Sequence, residues 1–110
     1  MKLDLFGVLV AGLGALLHVY FAFIETIKWG PATVRKIAPP WVEGIDTSLV
    51  DAHIAWAKRL AFNVGVYNLL LAIGLAWTAV AYATDAAIAS SLGIFFGIWL
   101  LGAAAAALYT

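Results

Sequence analysis

Three long apolar runs, residues 5–27, 60–82 and 86–109, constrain this chain more than anything else in it. Each is long enough to cross a bilayer. Wound as a helix, the first extends about 34 Å, against a hydrocarbon core of about 30 Å. The 110 residues are 65% hydrophobic and 11% charged, with a mean hydropathy of +1.03. A soluble domain of this size has too little interior to hide so much apolar surface. The expected fold class is therefore all-α: an integral membrane protein with three transmembrane helices in a single membrane domain, and the lipid bilayer as its solvent.

Formal net charge is zero, so there is no electrostatic case for a nucleic-acid partner. The chain has no cysteine, which excludes disulfides, thiolate metal sites and cysteine nucleophiles together. Lys2 precedes the first run as it would in a signal peptide. That run is longer than a typical signal core, Asp4 weakens the positive start, and no convincing cleavage site follows. It is read as a retained helix.

Residues 28–59 form the long link between the first two spans. Pro31, Pro39 and Pro40 break helix there, and Gly30 and Gly44 allow turns. Ser48 and Asp51 have capping-box spacing, so the second helix is expected to begin near Leu49, outside the hydrocarbon, and to pass Trp56, Lys58 and Arg59 before entering it. Trp29, Trp41 and Trp56 suit an interfacial aromatic belt. Five of the six cationic residues, Lys28, Arg35, Lys36, Lys58 and Arg59, lie in or beside this link, and none lies in the short link 83–85. The positive-inside rule then places the long link in the cytoplasm, the N-terminus outside and the C-terminus inside. The expected location is the bacterial inner membrane. On the third span, Gly93 and Gly97 form a GxxxG pair, followed by alanines 103–107. Small residues let helices approach closely in lipid, either within the chain or between protomers. A homo-oligomer or a larger membrane complex is expected.

Polar side chains inside a membrane are costly and need a reason. The first span carries His18, Tyr20, Glu25 and Thr26. His18 and Glu25 are seven apart and share a face, but about 10 Å of rise separates them. Water, a ligand or a side chain from another helix must lie between. The second span supplies Asn63 and Tyr67, four apart on one face, with Asn68 on the flank. Antiparallel helices bring the two ladders to the same half of the bilayer, which predicts a polar pocket open to the cytoplasm. The candidate ligand-binding residues are His18, Tyr20, Glu25, Asn63, Tyr67 and Asn68. Each also has a plainer reading as interhelical glue, or, for Glu25, as a partner of Lys28 or Arg59. His53 reads as a solvated or interfacial histidine. No metal site is expected.

The stretch from His18 through Tyr20 and Glu25 to Trp29 resembles the H-x-Y, then Glu, then Trp pattern of small bacterial membrane proteins catalogued as domain of unknown function 1304. A second stretch, Asn63-Val-Gly65-Val-Tyr67-Asn68 followed by Leu71, Ala72, Gly74, Leu75 and Trp77, is similar to that family's N-Q-G-x-Y-N-x-x-L-A-x-G-L-x-W motif. The resemblance covers about residues 17–77. Val64 stands where the family commonly has glutamine, the link is longer than usual, and the family's fourth helix is not among these residues. The resemblance implies a compact helical membrane protein and no particular reaction.

Three functions remain open: a module whose polar pocket binds a small molecule or relays protons, a structural subunit of a larger membrane complex, and a membrane enzyme acting on a lipophilic small molecule. No nucleophile–base motif, phosphate loop or zinc signature appears, and no cofactor follows from the residues.

Overall fold

The computed structural model describes residues 4–37 and 47–109; the expectations for Lys2, Pro39, Pro40, Trp41 and Gly44 lie outside them. The elements among the described residues are all helices, with no strand. The elements are α1 (Leu5–Phe23), continued by a π-helical turn (Ile24–Lys28), then α2 (Pro31–Ile37), α3 (Thr47–Trp56), α4 (Lys58–Ala83) and α5 (Ala89–Tyr109). Three stretches, Leu5–Lys28, Lys58–Ala83 and Ala89–Ala106, are long and apolar enough to cross a membrane by length and composition.

The chain divides into two compact units, with boundaries after residues 17 and 70. The first holds the start of α1, the C-terminal part of α4, and α5. Asp4 caps α1, its Oδ1 accepting a bond from the Gly7 amide at 3.0 Å. Such a cap is worth about 1 kcal/mol. The inner face is built from small and compact residues, Ala11, Ala15, Ala72, Leu75 and Thr78, all buried. The Tyr82 ring occupies the space that a Cβ on Gly7 or Gly93 would need, and Phe96 does the same at Gly74. Thr78 returns its hydroxyl to the Gly74 carbonyl at 2.8 Å, so this buried polar group is satisfied. The outer faces carry large exposed apolar side chains, among them Phe6, Leu13, Ile94, Ile98 and Leu101.

The turn between α4 and α5 has a specific construction. Asp85 takes φ 53°, the left-handed region that a short polar side chain tolerates better than most. The Ala86 amide donates to Ala81 O at 2.9 Å and the Asp85 amide to Tyr82 O at 3.4 Å. This is the Schellman pattern that closes a helix. It uses Ala86, with which the expected third helix begins, and α5 starts at Ala89.

The second unit holds the rest of α1, the π turn, α2, α3 and the first part of α4. Pro31, expected to break helix, is the first residue of α2. Proline fits there because its missing amide would have no intrahelical partner, and the Gly30 carbonyl receives the Thr33 and Val34 amides. Arg35 Nη2 meets both carboxylate oxygens of Asp51, at 2.6 and 2.7 Å, and so joins α2 to α3. The pair is exposed, so it contributes at most about 1 kcal/mol. Trp29 Nε1 donates to Ile54 O at 2.8 Å and ties the end of the π turn to α3. Ala57 interrupts α3 and α4 only slightly: its amide reaches His53 O and its carbonyl receives the Ala61 amide, both at 2.9 Å.

Candidate functional site

The candidate site lies in the second unit and follows from two sequence stripes. On α1 and the π turn the inward positions are His18, Ala22 and Glu25; on α4 they are Ala61, Gly65 and Asn68. Both run in steps of four and three, the spacing that keeps one face of a helix against a partner. Alanine and glycine make these faces low, so the backbones approach closely. At Gly65 the approach is close enough to exclude a side chain. A Cβ there would sit 2.6 Å from Thr26 Cγ2, 3.0 Å from Glu25 Cβ and 3.1 Å from the Thr26 amide nitrogen.

This closeness brings three polar side chains into one hydrogen-bonded row. His18 Nδ1 and Asn68 Oδ1 are 2.7 Å apart, and Asn68 Nδ2 donates to Glu25 Oε2 at 2.6 Å. His18 is 7% exposed, and Glu25 and Asn68 are half-buried. The row has a direction. With the Asn68 amide nitrogen on the carboxylate, its oxygen faces His18 and can only accept. His18 Nδ1 therefore carries a proton and donates it. In the neutral ring Nε2 then keeps its lone pair, and Nε2 makes no hydrogen bond among the described residues.

Glu25 sits in the π turn. There each amide reaches back five residues instead of four, a variation frequent at functional sites. The Thr26 hydroxyl donates to Ala22 O at 2.5 Å, adding a bond to a carbonyl in the turn where the ladder changes. Among the described residues the only ion pair is Arg35–Asp51. Neither Lys28 nor Arg59 pairs with Glu25, and the Lys28 ammonium lies 5.8 Å from the centre of the Phe23 ring. The Glu25 carboxyl is thus met by a neutral amide and by no side-chain cation among the described residues.

The structure brings together His18, Glu25 and Asn68 and leaves Tyr20, Asn63 and Tyr67 outside that row. Asn63 is exposed, and Tyr20 and Tyr67 are exposed at 53% and 69%. Asn68, expected on the flank, is the inward residue. The reason is phase: Ala61, Gly65 and Asn68 set the inner face of α4, and Asn63 and Tyr67 are displaced from it by one or two residues, each a turn of about 100°. The gap expected between His18 and Glu25 is filled by the Asn68 amide. His53 is exposed and turns its Nδ1 to Leu49 O at 2.9 Å. No group of three or more His, Asp or Glu among the described residues is placed to hold a metal ion. The parts that the sequence did not indicate are the π turn and the role of Gly65; the four-three stripe of small residues was the available signal.

A family model described as "Protein of unknown function (DUF1304)" matches residues 12–110, and the chain belongs to that family. The match includes all three members of the polar row and extends through α5. Neither the curated proteins nor the solved structures give a match.

Proposed function

We propose that this family member is a small integral membrane protein, one membrane domain with three spans, in which the His18–Asn68–Glu25 row accepts a proton or a small cationic molecule. The observation that carries the reading is the unpaired carboxyl. Placing an ionised side chain within a span is expensive, and such residues usually pair with one another or mark ion and substrate paths. Glu25 has an amide donor on one oxygen and no side-chain cation among the described residues. A proton or a cationic ligand would supply what is missing. Asn68 then holds Glu25 in place and fixes the His18 tautomer, leaving Nε2 as a second acceptor.

Glu25→Gln tests this. The amide keeps the shape and can still receive the Asn68 bond, so the variant should fold and keep its thermal stability. Infrared difference spectra between acidic and basic samples in bilayers should show a protonating carboxyl in the native protein that disappears in the variant. Retention of any cationic molecule co-purified with the native protein should fall with it. An identical difference spectrum in both proteins, with both folded, would refute the proposal.

A second reading, a structural subunit or homo-oligomer, is favoured by the outer face of α5. Ile94, Ile98 and Trp99 are each more than half exposed there, an apolar surface that either lipid or a partner helix would cover. In both readings we place the protein in the bacterial inner membrane, with the long link in the cytoplasm.

A further inference from the structure

We propose that the outer face of the α3–α4 junction is a binding site for the headgroup of an anionic phospholipid, held by Lys58 and Arg59. This inference rests on the membrane reading above and not on the polar row. The junction carries an open groove of about 750 Å³ whose lining includes Trp56, Lys58, Arg59, Phe62 and Asn63. The nearly continuous hydrogen-bond ladder through Ala57 keeps these residues on adjoining turns.

Three observations select the ligand. The first is uncompensated charge. Arg35 is engaged by Asp51, and Lys28 lies over Phe23. Among the described residues, Lys58 and Arg59 have no carboxylate partner and no carboxylate lines the groove. A phosphate diester meets both cations: the guanidinium offers two parallel donors and the ammonium a point charge. A zwitterionic headgroup would also bring an ammonium, and the described residues of the groove offer that group no anion.

The second observation is the polarity gradient along α4. Lys58 opens the stretch fit to cross a membrane, and Phe62, 52% exposed, follows one turn further in. Asn63 lies about 7.5 Å along the axis from Lys58, where its amide can meet the ester oxygens below a phosphate. Free phosphate would use the cations and neither of these deeper groups. The third observation is Trp56, 83% exposed. An indole so open to its surroundings suits the headgroup level, where one edge is apolar and the other wet.

The test is native mass spectrometry of the full chain, released from micelles loaded with equal amounts of phosphatidylglycerol and phosphatidylcholine. The native protein should retain phosphatidylglycerol preferentially. Each cation near an anionic surface contributes such that the pair predicts a preference of about 30-fold. Lys58→Gln with Arg59→Gln should reduce it to near parity, whereas Lys36→Gln should leave it unchanged. Resistance to alkaline extraction from membranes is measured for every variant, so failure to insert is distinguished from loss of lipid. Equal retention of the two lipids by the native protein would overturn the site. So would an undiminished preference in the double variant, or an equal loss in Lys36→Gln. Complete displacement of the lipid by millimolar inorganic phosphate would assign the cations to a free anion and also overturn it.

Discussion

Asn68→Leu isolates the polar row, because leucine nearly matches asparagine in shape and removes only its hydrogen bonds. Two bonds are lost, at 2.7 Å to His18 and 2.6 Å to Glu25. Interhelical hydrogen bonds in membranes average about 0.6 kcal/mol, with a ceiling near 1.7 kcal/mol, so two average bonds give a lower bound of about 1 kcal/mol. His18 is 7% exposed, and its Nδ1–H would be left without an acceptor; a stranded buried group costs about 1–3 kcal/mol. The expected loss is therefore about 2–3 kcal/mol, read as reversible unfolding in mixed micelles titrated with denaturing detergent. A double-mutant cycle with Glu25→Ala, which removes the acceptor, apportions it. The two substitutions should be non-additive, because they share one bond. Nitrogen NMR of the imidazole gives an independent readout: the proton held on Nδ1 in the native protein should redistribute between the two ring nitrogens. A stability change below about 0.5 kcal/mol, additivity with Glu25→Ala and an unaltered tautomer would together refute the row as an energetic unit.

Two further outcomes are expected. The chain lacks cysteine, so single cysteines report cleanly: at positions 33 or 47 they should resist an impermeant thiol reagent added outside intact cells, and at position 85 they should react; the reverse pattern would invert the topology. Gly97 and Gly93 should respond with opposite signs to alanine, since a Cβ at Gly97 meets nothing within 4 Å beside a cavity of about 180 Å³, whereas one at Gly93 meets the Tyr82 ring. Gly97→Ala should be neutral or stabilising by up to about 1 kcal/mol and Gly93→Ala destabilising in the same detergent titration, and a drop in oligomer size with Gly97→Ala would instead place that residue between protomers.

The apolar runs made the long helices legible, because length and hydropathy leave few other solutions. The family was legible from His18, Tyr20, Glu25 and Trp29 and from the stretch 63–77. Within the site, the pairing of His18 with Glu25 could be read, as could the need for something between them. Asn68, a candidate on the flank of the Asn63–Tyr67 face, fills that gap, because the small residues of α4 and not its polar ones set the inner face. Ala61 and Gly65 carry that information: in a close helix pair the inward face is marked by what is small, and Asn68 lies in phase with it. The α2 helix is not legible from Pro31, because a proline that ends a helix in its interior also starts one at a first turn. The π turn has no signature in residue type; it depends on how Glu25 and Thr26 meet the backbone at Gly65.

That π turn also works as a phase adjuster. A helix crossing about 30 Å of hydrocarbon accumulates rotation with every residue, so whatever emerges at its end points wherever the count happens to leave it. The wide turn at Ile24–Lys28 changes that count just before the indole of Trp29 must find the carbonyl of Ile54. Deleting one residue of the regular helix just before it, with the wide turn kept, would swing the indole by about 100° away from its acceptor. The length of this helix is therefore fixed at its end to single-residue accuracy, as the teeth of a gear fix the angle at which the next wheel engages.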